Sequence, residues 1–485
     1  MVRRRVPGVG PNPLQMALPL VMLLGLCLAF GWLLPHLSPT KALAFLSAII
    51  MFMVCLFSTQ AALYIIIFSM LLGPEFVVGS TGGASLGRGV TLRVNDFVLV
   101  VVAFSWLAKM AMNKRLGLFL HTPLNGPIAA YTLACVVSSG IGAVMGRVDL
   151  KTSFFYVVKY FEYMFVYFMV VNHLRSRRQL RGFVLAFIAT CVIAAIVGVL
   201  QIPGGGRITA PFEGDKGEPN TFGGYLMFMI SICGGLAWHL RDYRQRVALV
   251  ASAGLFLVPL LYTGSRGSYL GLAVAMAVFV LFTPRRVVTG LIMSAIISAL
   301  LLGAPEIAKR RIEHTFTQGA TRTDVEEVMG VRLDTSSSAR LRSWMQVSKD
   351  WLIHPMLGYG VTGYKFLDGQ YFRIIIETGL VGLSLFVFLM LRTAAVLRAV
   401  YRRARDDLER GWTMGVLIGF AGLLAHGLSA NTFIIGRIME PFWFSVGMIV
   451  MIPRLTDAGD EGEVASVADG DAVVSHGEGE DGASV

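Results

Sequence analysis

The chain has 485 residues, 55% of them hydrophobic and only 15% charged, with a formal net charge of +12. A soluble domain averages about a quarter charged residues, so an ordinary soluble enzyme is excluded. Apolar runs near 20 residues without strand-like alternation exclude a β-barrel and give the fold class: all-α, a polytopic integral membrane protein. The basic residues lie mostly in short connections between apolar runs, where they set topology, so the charge does not point to nucleic acid.

In chain order, spans are expected near 14–35, 41–57, 60–78, 95–112, 124–146, 152–173, 180–202, 219–238, 246–263, 267–283, 286–303, 371–393, 411–430 and 434–452. The second and third share one apolar stretch and form either a hairpin or one broken helix, so about 12–14 transmembrane helices fit. Arg3-Arg4-Arg5 precedes a first run too long for a signal-peptide core, with no small-residue cleavage site. Cys27, Cys55, Cys135, Cys191 and Cys233 all fall inside apolar runs and read as small buried hydrophobes rather than a disulfide or metal framework. No internal repeat is evident.

The expected organisation is an N-terminal membrane region of about eleven spans over 1–303, a large helical cap loop over 304–370, about three spans over 371–455, and a disordered acidic tail over 456–485. With the N-terminus in the cytoplasm, inward loops carry Lys109/Lys114/Arg115, Arg175/Arg177/Arg178/Arg181, Arg241/Arg244/Arg246, Arg285/Arg286 and the run from Arg392 to Arg410. The short outward loops carry only one or two basic residues each, which is the positive-inside asymmetry. Both termini are then cytoplasmic, and the cap, the 203–218 loop and the 262–267 and 429–433 turns lie outside. In the cap, Ser336-Ser337-Ser338 offers an N-cap to a helix with Leu341, Trp344, Met345, Trp351 and Leu352 on one face. Glu306 to His314 is a second, more basic amphipathic candidate.

Ionisable groups among apolar spans are functional candidates. Arg266, in Thr263-Gly264-Ser265-Arg266-Gly267-Ser268, starts a span, where free backbone N–H groups and a guanidinium fork suit phosphate; the alternative is an arginine snorkelling to lipid headgroups. Arg207, on the glycine-rich loop before Pro219-Asn220, is either a second such group or part of a solvated loop. Arg340 and Arg342 are two positions apart and cannot share one helical face, so one reaches a site and the other solvent. Asp368 precedes a span carrying Arg373 and Glu377; it serves as a base or, the better reading from the residues alone, as an N-cap. Lys159 and Glu162 read as a pair, and His426 as a satisfied buried histidine. No metal-ligand spacing is present in the sequence.

Taken together, these residues resemble the O-antigen ligase and O-antigen polymerase superfamily. Ser265-Arg266-Gly267 resembles its Ser-Arg-Gly element, and Arg207 through Pro219-Asn220-Thr221-Phe222 its arginine loop and following helix start. The cap resembles its large periplasmic loop, through Arg340-x-x-x-Trp344, His354-Pro355-Met356-Leu357-Gly358-Tyr359-Gly360 and Glu377-Thr378-Gly379-Leu380-Val381-Gly382. The resemblance spans roughly residues 200 to 455. Where the ligase pattern has a histidine ahead of Gly-x-x-Gly, this chain has Asp368, which favours a polymerase over a ligase to lipid A core.

The resemblance implies a GT-C-like, metal-independent, inverting glycosyltransferase of the bacterial inner membrane, needing no cofactor. It would move undecaprenyl-diphosphate-linked glycan onto a sugar hydroxyl in exopolysaccharide or O-antigen assembly, within the bilayer and alongside other polysaccharide assembly proteins. Asp368, Arg266 and Arg207 are its expected catalytic residues. Arg340, Arg342, Asn220, Ser265, His354 and Arg373 are expected to bind substrate. A transporter or flippase for a lipid-linked or anionic substrate is the competing class.

Overall fold

A computed structural model describes residues 39–73, 75–78, 90–112, 120–211, 217–302, 335–365 and 367–455. The expected first span, the Glu306–His314 segment and the acidic tail lie outside these residues, as does Cys27. The described helices are α1 (Pro39–Phe57), α2 (Thr59–Leu72), α3 (Val94–Met112), α4 (Asn125–Val144), α5 (Leu150–His173), α6 (Arg177–Leu200), α7 (Pro219–His239), α8 (Tyr243–Tyr262), α9 (Arg266–Phe282), α10 (Arg286–Leu302), α11 (Thr335–Asp350), α12 (Gln370–Arg403), α13 (Asp407–His426) and α14 (Gly436–Met451). Among the described residues, α4, α5, the α6 stretch, α7, α8 and α12 are long and apolar enough to cross a membrane, and shorter apolar helices accompany them. The chain is an all-α polytopic membrane protein.

One expectation about span ends is corrected, and the break between the second and third spans is located where it was expected. The apolar stretch near 41–78 is interrupted at Ser58, whose extended backbone separates α1 from α2 and whose side chain accepts from Ala61 N; both helices pack on α3. The third span does not continue to 78. It stops at Leu72, where Gly73 turns extended ahead of Pro74, and the chain then forms β1 (Glu75–Val78), antiparallel to β2 (Val90–Arg93) with Glu75 opposite Arg93. A residue before proline is driven out of the helical region, and Phe76-Val77-Val78 are good strand formers once that happens.

Three helices make the centre. α14 is buried along its whole length, and α7 is buried over most of its own. A helix apolar on every side belongs in the interior of a bundle. Glycines bring α13 backbone-to-backbone with its neighbours: a methyl on Gly415 would lie 2.5 Å from Ile232 Cα of α7, and one on Gly422 2.8 Å from Gly271 O of α9. Gly411, Gly415 and Gly419 recur every fourth residue, the small-residue spacing that lets membrane helices approach closely. Ion pairs pin the start of α13: Arg177–Glu409 (3.3 Å), Arg181–Asp406 (3.2 Å) and Arg241–Asp407 (3.0 Å). That end lies against α6 and the turn after α7, and its other end, at His426, lies at the starts of α7 and α9.

Candidate functional site

The two arginine loops meet. Arg207 reaches across from the α6–α7 loop and donates from Nε to Thr263 O (2.8 Å) and from Nη2 to Gly264 O (3.4 Å). Ile208 N donates to Tyr262 O, so the loop is zipped to the turn that precedes α9. Arg266 is the first residue of that helix and is half-buried. Ser265 is its N-cap, accepting from Ser268 N (3.3 Å) and from the Ser268 hydroxyl (2.8 Å). Ser265 therefore shapes the helix start. Asn220 occupies the first turn of α7, and the two helix starts are neighbours: a methyl on Gly223 would touch Ser268 and Thr263. Two helix N-termini, each carrying the partial positive charge of a helix start, thus lie beside Arg266 and Arg207.

Asp368 does not cap α12. The N-cap is Gly369, without a side-chain cap bond, and the Asp368 carboxylate turns to Arg340 instead. Nε and Nη2 of Arg340 both reach Oδ2 at 3.2 Å. Trp344 Nε1 donates to Asp368 O (2.9 Å), and its ring stacks on Phe372 at 4.8 Å and 10°. The Arg340-x-x-x-Trp344 spacing is one helical turn, so one face of α11 grips both the side chain and the backbone of Asp368. Arg342 is exposed. The α11 helix begins at Thr335, one residue ahead of the expected serine cap.

The 427–433 turn joins these two halves. Gln370 N donates to Gly427 O (2.9 Å), Asn431 Nδ2 to Leu367 O (2.7 Å), and Phe433 N to the Gln370 amide oxygen (3.0 Å). On its other side the fully buried His426 places Nδ1 2.7 Å from Thr432 Oγ1. Its ring lies between α7 and α9: a methyl on Gly224 would meet it at 3.1 Å and one on Gly267 at 3.2 Å. Contacts therefore run without a gap from Arg207 through the Arg266 turn and the 427–433 turn to Asp368 and Arg340. His426 is buried, as expected, but its place at the junction was not legible, because the sequence does not say which helix starts flank it.

Arg373 and His354 stand elsewhere. Arg373 is buried, with Nε on Glu377 Oε1 (3.0 Å) and its guanidinium 5.5 Å from the Tyr156 ring. Glu377 Oε1 also accepts from Thr362 N (3.1 Å), so this pair latches the cap's glycine-rich connector to the start of α12. Thr362 is held there at φ 69°, a conformation that needs such support. His354 packs edge-on against Tyr359 (4.7 Å), beyond the far end of α11 from Arg340. Desolvation, with the Arg147 charge second, pushes its imidazole below the ordinary value. Tyr364 donates to Asp350; burial, then that hydrogen bond and charge, push its phenol upward.

The expected span at 371–393 is not one helix. At Gly379 (φ 65°, ψ −165°) α12 breaks, and the cap's Pro355–Gly360 segment fills the gap. Tyr359 N donates to Ile376 O (2.9 Å), Gly360 N to Glu377 O (2.8 Å), Leu380 N to Pro355 O (2.8 Å) and Val381 N to Met356 O (3.1 Å). Ser138 of α4 adds a bond to Glu377 O (2.7 Å). Broken helices are tolerated at membrane depth when protein satisfies the freed backbone groups. The second half continues to Arg403, ten residues past the expected end.

Two buried ionic features were missed. Arg437, 1% exposed, donates to Leu71 O and Pro211 O (3.0 Å each) and to Gly73 O (3.2 Å), tying α2 and the end of the Arg207 loop to α14. The carboxylates of Asp96, Glu162 and Glu440 lie within 4.8 Å of one another, and Asn95 donates to Glu440. Lys159 supplies charge there, 2.7 Å from Asp96 and 3.2 Å from Glu162, so the expected Lys159–Glu162 pair is part of a larger group. Arg437 and Glu440, three apart in an apolar run, were the available signal.

Residues 251–387 match the family model described as O-antigen ligase. The matched stretch holds the Arg266 turn, Arg340, Asp368 and the Gly379 break; Arg207 and Asn220 precede it. No curated protein matches the chain. The match supports the O-antigen ligase and polymerase superfamily indicated by the sequence motifs, and with it a membrane glycan enzyme of that type, for which the family implies a lipid-linked glycan and an acceptor.

Proposed function

We propose, taking the O-antigen ligase match as the premise, that this protein transfers or polymerises undecaprenyl-diphosphate-linked glycan repeat units onto a sugar hydroxyl at the cap end of the bundle. The observation that carries the reading is the unbroken run of contacts joining Arg207, the Arg266 turn, the 427–433 turn and Asp368. Four separate stretches of chain bring cations, two helix starts and a carboxylate to one end.

In this reading the diphosphate is the leaving group. Arg266 and Arg207, with the first turns of α7 and α9, stabilise the charge that develops as the sugar–phosphate bond breaks. Asp368 orients the acceptor hydroxyl and takes its proton as the oxygen attacks the anomeric carbon, and a single displacement inverts that carbon. Arg340 occupies Oδ2, so the acceptor is assigned to Oδ1. Arg340 and Trp344 are positioning residues. The cap and both arginine loops face the periplasm of a bacterial inner membrane, and both termini are cytoplasmic. A transporter would instead need a midplane site with alternating access, and the clustering at one end favours the transferase.

The test is an assay in vesicles with purified lipid-linked repeat unit, alone and then with candidate acceptors. Extension of the repeat unit alone indicates a polymerase; extension only with acceptor indicates a ligase. Arg266→Ala is expected to abolish product while protein level is unchanged, and normal product length would sink the catalytic reading. Asp368→Asn is expected to lose roughly 10²–10⁴-fold, the usual worth of a general base; near-full activity would remove the carboxylate from the chemistry.

A further inference from the structure

The far end of the cap carries an apolar surface that the site does not use. After α11 the chain makes a short 3-10 turn, Trp351–Ile353. Leu352 and Ile353 are each 64% exposed, and Met356 is 59% exposed. Four contacts, two to α12 and two to α4, fix the place of this turn. Through Leu380 N to Pro355 O (2.8 Å) and Val381 N to Met356 O (3.1 Å), residues 355 and 356 lie level with the first residues of the spanning half of α12. On the other side Ser138 donates to Leu357 O, and Gly142 of α4 lies against Tyr359 O, where an added methyl would come within 2.5 Å. The turn is therefore fastened beside the α4–α5 corner, not lifted above it.

That corner is itself apolar on its outer side. Val144 at the end of α4 is 90% exposed, and Leu150 and Phe154 at the start of α5 are 68% and 62% exposed. α4 and α5 are both spanning helices, and exposed apolar side chains at their ends belong to the surface that meets lipid. The Leu352–Met356 face lies beside that surface, held there by the bonds of residues 355–357 to α12 and α4. The charged residues nearby, Arg147, Asp149 and Lys151, are at the tip of the corner, as expected at headgroup level, and the Arg147 charge acts on His354 of the turn. Continuity with the lipid-facing surface of two spans argues for acyl chains as the occupant.

We propose that the Trp351–Met356 turn dips into the leaflet on the cap side, with Leu352, Ile353 and Met356 against its acyl chains. The cap is then moored in the bilayer at one end, while Arg340 and Trp344 hold Asp368 at the other. This mooring does not depend on the glycan chemistry.

The test uses full-length protein in phospholipid vesicles that contain no polyprenyl lipid. A nitroxide is attached at Ile353→Cys, and in a second variant at Leu352→Cys, which reads the same turn should one substitution disturb the fold. Unsubstituted protein carried through the same labelling gives the background from the native cysteines. Collisions with lipid-soluble oxygen are compared with those of a water-soluble nickel chelate. Mooring is expected to shift both positions from nickel-dominated to oxygen-dominated collisions, as at Val144→Cys and unlike Arg342→Cys. Nickel access equal to that at Arg342→Cys would overturn it. Loss of both accessibilities with spin–spin broadening would overturn it too, by assigning the face to a second copy of the chain.

Discussion

Arg340 and Asp368 are joined through a single carboxylate oxygen, and the geometry makes their exchange for similar residues informative. Lysine keeps the charge of Arg340 but lacks the fork that places Nε and Nη2 together on Oδ2. Losing one charge-assisted bond of about 1.5 kcal/mol predicts roughly a tenfold fall in turnover for Arg340→Lys. Steady-state rates measured at saturating lipid-linked donor check this. An unchanged rate would mean that the pair positions nothing. Arg342→Ala, two residues away and exposed, is expected to leave turnover unchanged in the same assay. At this scale the sequence identified Asp368, Arg340 and Arg266 as residues needing an explanation. It could not say that Asp368 forgoes capping for Arg340, because 28 residues separate them and only the folded cap brings them together.

The break in α12 is the element on which the cap depends. Gly379 has φ 65°, and an added methyl would stand 2.3 Å from the Met356 carbonyl carbon and oxygen. Gly379→Ala is therefore expected to cost at least about 1–3 kcal/mol in backbone strain and to force the Pro355–Gly360 segment out of the gap. A lowered melting temperature in detergent, with faster proteolysis between residues 354 and 365, would report both effects. The Arg373–Glu377 pair crosses the same region. Glu377→Leu leaves Arg373 buried without that carboxylate, at a cost of about 3–5 kcal/mol, whereas Arg373→Met combined with Glu377→Leu is expected to recover most of the loss. Melting curves of the single and double variants separate a structural latch from a ligand contact. The two motifs that meet here, around Gly358 and Gly379, were both legible as sequence. Their pairing was not, since a glycine in an apolar run reads equally as helix packing or as a break.

For the molecule as a whole, the loop charges predict that the cap faces away from the cytoplasm. A cysteine at position 342 is expected to react with a membrane-impermeant maleimide added to intact spheroplasts, and one at position 244 only after lysis. Labelling in the opposite order would invert the topology and move the proposed site to the wrong face. By itself the sequence determined the fold class and the succession of apolar helices, because a bilayer demands continuous apolar stretches with their backbone bonded internally. It also placed Arg266 at a helix start. Only the tertiary structure decided which of these face one another. The glycine spacing on α13 sets how closely α7 and α9 approach, and so brings His426, the Arg266 turn and the Arg207 loop to one end. Such contacts join residues tens to hundreds of positions apart, and helical periodicity carries no information about them.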